Sequence, residues 1–146
     1  MNETYLTDFN AWSHQTAQLL RDRHWHKIDV EHLIDEVEAL GKRERRAIAS
    51  QLIRLLIHLL KWQYQPQRQS DSWLDSMTDA RTQIDLAIAD SPSLRSYPAE
   101  QLEESYQRAR CQAAKQTSLN SSEFPEKCPY SIESVLNEDW LPGTDD

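Results

Sequence analysis

Residues Ala47 to Gln65 read AIASQLIRLLIHLLKWQYQ. On a helical wheel, Ile48, Leu52, Leu55, Leu56, Leu59 and Trp62 form one dense apolar face. Ala49, Ile53, Ile57, Leu60 and Tyr64 widen that face past half of the circumference. Ser50, Gln51, Arg54, His58, Lys61 and Gln65 share the remaining polar arc, roughly 100° wide. A surface helix carries a narrower apolar stripe. The spacing therefore predicts a central helix wrapped by the rest of the chain.

The flanking sequence supplies the wrapping. Thr7 or Asp8 is placed to cap a first helix that carries Phe9, Trp12, Thr16, Leu19 and Leu20 on one side and runs to about Asp22. Asp29 is placed to cap a second, in which Val30, Leu33, Ile34, Val37 and Leu40 keep helical spacing among the acids Glu31, Asp35, Glu36 and Glu38. Early carboxylates also suit the positive end of a helix dipole. Gly41 is expected to end or kink this helix, so residues 29–65 read as one kinked helix or as two. Pro66 closes the central helix, because the residue before a proline is biased away from the helical region.

After Pro66, Ser70, Asp71 or Ser72 starts a helix with Trp73, Met77, Ala80, Ile84 and Ile88 on its inner stripe. Asp90-Ser-Pro-Ser stops it. A last long helix follows Pro98, with Leu102, Tyr106, Ala109 and Ala113 recurring on one side. From about Thr117 the chain becomes irregular: SLNSSEFPEKCPYS is a loop pinned by Leu119, Phe124 and Tyr130, then SIESVL forms a short helix. Asn137 to Asp146 is an acidic tail with Trp140 docked. The expected fold is all-α, a compact bundle of four to five helices in a single domain over residues 1–146, with a central buried helix and an irregular C-terminal segment.

Composition agrees with that class. Only two glycines occur in 146 residues, far too few for the repeated left-handed turns of a sandwich or barrel. A chain of this length buries a core without disulfides. Cys111 and Cys128 stand in no metal spacing. No leader-like apolar segment opens the chain, and no run approaches the roughly 20 apolar residues of a membrane span. The expected location is the cytoplasm.

Several long pieces resemble one known family. YLTDFNAWSHQTAQLL, IDVEHLIDEVEALGKRERRAIASQL, LLIHLLKWQYQPQRQSDSW and FPEKCPYSIESVLNEDWLP occur in this order and cover nearly the whole chain. They are similar to the bacterial family catalogued as domain of unknown function twenty-nine, many of whose members are cyanobacterial. The resemblance implies a small all-α protein. It implies no activity and no catalytic positions.

Function has to be sought in the polar residues. Arg54, His58 and Lys61 project from one side of the central helix, and antiparallel packing of the acidic helix against it would bring Glu36 or Glu38 to meet them. That cluster reads as an ion-pair network fixing helix register, or alternatively as a metal-dependent or acid–base site built from Glu36, Glu38 and His58. The Glu-x-x-His and HExxH spacings are absent. A phosphate-cradling glycine loop is excluded by Gly41 and Gly143 alone. Cys128 reads as a packed thiol, with no histidine placed to activate it. No cofactor is expected. The residues Lys42, Arg43, Arg45, Arg46 and Arg68 form a basic side suited to a protein partner with an acidic surface. Against nucleic acid stand the net charge of −8 and the lack of interleaved aromatics. The leading expectation is a non-catalytic helical interaction module.

Overall fold

Three of the four long helices begin on a side chain that caps them. In the computed structural model, which describes residues 3–143, a short helix α1 (Glu3–Thr7) leads into α2 (Phe9–Arg21), where the Asp8 carboxylate accepts the Ala11 N–H at 3.0 Å. Asp29 receives the His32 N–H at the start of α3 (Val30–Tyr64), and Ser70 the Trp73 N–H at the start of α4 (Asp71–Asp90). Helix α5 (Tyr97–Thr117) carries Pro98 in its first turn and ends on Ser118 in the left-handed region, at φ 63. Helix α6 (Ile132–Leu136) is capped by Ser131. Single 3₁₀ turns fill the connections. Among the described residues there is no strand. The ends of the tail read as acidic, residues 144–146, lie outside the described residues.

Helix α3 decides between one helix and two over residues 29–65. Gly41 neither ends nor interrupts it. One glycine costs about 1 kcal/mol against alanine, and strong helix formers on both sides (Leu40, Lys42, Arg43, Glu44) outweigh that. Residues 30–64 are therefore a single helix. The antiparallel packing that would bring Glu36 or Glu38 to Arg54, His58 and Lys61 has no second helix from which to form.

The chain divides into two compact units, Met1–Arg43 and Glu44–Asp146. The second holds the core. Leu52, Leu55, Leu56, Leu59 and Leu60 of α3 are fully enclosed, as the wide apolar face requires. Met77, Ala80 and Ile84 cover them from α4, and Tyr106, Ala109 and Ala113 from α5. Trp73 and Ile88, expected on the inner stripe, are half-buried at its ends. Phe124, Tyr130 and Val135 close the core from the irregular segment.

Specific hydrogen bonds hold that segment down. The Tyr106 hydroxyl donates to the Pro125 carbonyl at 2.6 Å, and Tyr130 to the Gln63 side-chain oxygen at 2.7 Å. Arg81, buried on α4, donates from Nε to the Val135 carbonyl at 2.8 Å and from Nη2 to the Trp140 carbonyl at 3.0 Å. The Val135 carbonyl lies in the last turn of α6 and that of Trp140 beyond it, where the helix ladder leaves carbonyls without a partner. Arg81 supplies it.

In the first unit, packing is aromatic. The Tyr5 ring stacks on His32, with centroids 3.9 Å apart, and meets Trp12 edge-on at 4.8 Å. Its hydroxyl donates to the Glu36 carboxylate at 2.6 Å. Trp12 and Thr16 are buried, whereas Val30, Ile34, Val37 and Leu40 are exposed. The stripe read as core on this half of α3 faces outward.

Two substitutions test this account. Leu55→Ala should lower the unfolding free energy by about 3 kcal/mol, and Leu86→Ala, on the open side of α4, by less than about 0.5 kcal/mol. Arg81→Ala should cost about 2 kcal/mol. It should also speed amide exchange selectively over residues 132–141 in native-state hydrogen exchange. If exchange there is unchanged, Arg81 is not the fastener.

Candidate functional site

The polar residues of α3 divide according to where the helix is covered. On the buried half they emerge through the gaps between neighbouring helices, one of which lies beside α5. A groove of about 360 Å³ is lined by Ser50, Ile53, Arg54, Ile57 and His58 from α3 and by Gln112 and Gln116 from α5. A second, of about 340 Å³, shares Ser50 and Ile53 with it and continues past Arg46, Tyr97, Gln101, Glu104 and Arg108. Together they make one furrow along the α3–α5 seam. Its lining mixes Ile53 and Ile57 with the charged Arg46, Arg54, Arg108 and Glu104.

His58 sits in the first half of this furrow. Its Nδ1 donates to the Arg54 carbonyl, one turn back, at 2.8 Å, which leaves Nε2 as the unprotonated nitrogen of the neutral ring. Burial, reinforced by the charges of Lys61 and Arg54, holds its pKa below 6.5. It is a neutral ring at physiological pH. Arg54 reaches across to Asp79 at 2.6 Å and depresses that carboxyl. Lys61 lies over the Trp73 ring, 5.7 Å from its centroid, and burial lowers its pKa.

The five residues read as one polar cluster are thus engaged separately. Glu36 accepts from Tyr5, and Glu38 is exposed on the first half of α3. Arg54, His58 and Lys61 bind to Asp79, a backbone carbonyl and Trp73. His58 is bonded to the Arg54 backbone carbonyl rather than to a carboxylate. Among the described residues, no three His, Cys, Asp or Glu side chains converge as metal ligands.

The basic set also divides. Lys42, Arg43 and Arg46 are exposed, Arg45 is half-buried, and Arg46 alone of these lines the furrow. Arg68 is exposed in the turn that follows α3, at the far end of its buried half. Two functional-looking residues escaped the sequence reading. Arg108 carried no signal, since an arginine on the polar side of α5 looks like any solvated residue. Tyr5 preceded the first expected cap and was not assigned to a helix. Cys128 is half-buried; burial pushes its thiol up, and its S–H points to the Tyr130 carbonyl. It is a packing thiol.

A small all-helical protein with a charged interhelical furrow is the class these features define. The chain belongs to the family described as domain of unknown function DUF29, which matches residues 4–141. No curated protein and no solved structure matches it. No helix among the described residues is long and apolar enough to cross a membrane.

The His58 environment has a pH signature. Its pKa is depressed in the folded state, so the unfolded chain takes up the proton first as pH falls. Stability is then expected to hold above about pH 7 and to decline as pH drops through the unfolded value of 6.5. Urea midpoints at about pH 7.5 and about pH 5 should differ less in His58→Gln than in the parent protein. An unaltered difference would show that His58 is not the group responsible.

Proposed function

We propose that this protein is a non-catalytic helical interaction module that receives an acidic segment of a partner protein along the α3–α5 furrow. The observation that carries this reading is the furrow itself, which Arg46 and Arg108 line together with Ile53 and Ile57. A lining of isoleucine and arginine suits an amphipathic segment, which buries its apolar side and meets the arginines with carboxylates. The arginines are set against a net charge of −8, so they stand out on an otherwise acidic protein and would steer an acidic partner to this seam. Catalysis finds no comparable support, since His58 and Glu36 are each held by a different structural partner.

The test is capture of the tagged full chain from nuclease-treated lysate of its source organism, with quantitation of co-purifying proteins and metals. A stoichiometric protein partner is expected. Arg46→Glu with Arg108→Glu should weaken its binding at least tenfold, with a steeper loss at low salt than at high salt. Retention of the partner by this double variant would move the binding site off the furrow. Stoichiometric metal lost in His58→Ala would instead favour the enzyme reading.

A further inference from the structure

We infer that the Arg46–Arg108 end of the α3–α5 furrow receives a phosphoryl group, carried on a serine or threonine of the partner segment. This rests on the furrow being the docking site proposed above, and it names the acid received there. Arg46 stands one turn before Ser50 on α3, and Arg108 one turn before Gln112 on α5. The two arginines line one pocket of about 340 Å³ from facing helices. Both are exposed, and neither is in an ion pair: among the described residues those pairs are Asp29 with His32 and Arg54 with Asp79. Glu104 is the one carboxylate in the lining, so two arginines against one glutamate leave a single positive charge there. That surplus stands on a protein whose net charge is −8. Hydroxyls complete the lining, from Ser50, Tyr97 and Ser105. Ser105 is only 2% exposed. The Thr117 hydroxyl turns back to the Ala113 carbonyl, whereas that of Ser105 bonds to no described residue. A buried hydroxyl without a partner costs stability, which an oxygen bound in the pocket would recover.

The number of donors decides between acids. A carboxylate offers two oxygens in one plane and is satisfied by a single arginine in bidentate contact. Two unpaired guanidinium groups together with hydroxyls exceed that need. They suit the three terminal oxygens and the nearly double charge of a phosphate monoester. The rest of the furrow decides the carrier. Past Ile53 it continues to His58, Gln112 and Gln116, where a neutral imidazole and two amides suit the main-chain groups of a peptide. A free phosphate would leave that half unused. A phosphorylated chain uses both.

The test titrates the full chain, at fixed ionic strength, with N-acetyl-phosphoserine methylamide, N-acetyl-aspartate methylamide and inorganic phosphate. Binding is read by calorimetry and by the arginine Nε–H resonances. The phosphoserine probe should bind saturably and move the signals of Arg46 and Arg108. It should bind about tenfold more tightly than the aspartate probe, and more tightly than inorganic phosphate. Arg46→Gln and Arg108→Gln should each weaken it about fivefold or more, and Glu104→Gln should tighten it. Arg43→Gln, exposed on the same helix but outside the pocket, should leave it unchanged. Equal binding of the aspartate probe would overturn the phosphoryl assignment, and so would binding that survives Arg46→Gln with Arg108→Gln. Preference for inorganic phosphate would overturn the phosphorylated segment in favour of a free anion. None of these readouts needs the partner. A captured partner that still binds the furrow after phosphatase treatment would overturn the inference and leave the docking reading intact. Probe binding at Arg46 and Arg108 with no partner captured would sink the docking reading and leave the phosphoryl receptor.

Discussion

Enclosure of the wide apolar face on the second half of α3 is the constraint on which the larger unit depends. Leu52, Leu55, Leu56, Leu59 and Leu60 lie on that face, and none retains any exposure. A face this wide needs more than one neighbour to cover it. Helices α4 and α5 cover most of it, and the remainder falls to a segment with almost no regular structure of its own. That is why Phe124, Tyr130 and Val135 are buried with the leucines in one core. It is also why the segment is tied by named hydrogen bonds from Tyr106, Tyr130 and Arg81: a loop covering a core has backbone groups that no ladder satisfies.

One helix serves two environments. Beyond Glu44 its apolar residues pack with α4, α5 and the irregular segment of their own unit, and before it α3 packs with α1 and α2 in the other. The aromatic group around Tyr5 consumes the side of α3 that carries His32 and Glu36. The stripe from Val30 to Gly41 is left in solvent, where so many contiguous apolar residues rarely stay uncovered. Charge follows the same division. Acids concentrate on the early turns and bases on the middle turns, giving the exposed part a polarity that the buried part lacks.

Much of the fold was legible from periodicity and capping. The caps at Asp8, Asp29 and Ser70, the stop at Pro66, and the inner positions Met77, Ala80, Ile84, Tyr106, Ala109 and Ala113 follow from local rules that act within a few residues. Whether residues 29–65 form one helix or two could not be read at Gly41, because a breaker and the strong helix formers around it pull in opposite directions. Arg81 was invisible for another reason. It adjoins Ala80 on the inner stripe, yet its partners are the carbonyls of Val135 and Trp140, more than fifty residues away in sequence. The partners of the candidate polar residues were not legible, since Arg54 meets Asp79 and Lys61 meets Trp73, both on α4 and beyond the reach of helical spacing within α3.

What the sequence determined by itself was therefore local and cumulative: an all-helical chain, the helix starts, and a helix near Leu55 too apolar to stand at the surface. These depend on backbone propensity and on the 3.6-residue repeat, both written in consecutive residues. The tertiary structure alone decided which apolar stripe is covered, where the arginines meet across α3 and α5, and which carbonyls Arg81 completes. Burial and pairing are properties of neighbours in space, and helical periodicity says that a face is apolar without saying what lies against it.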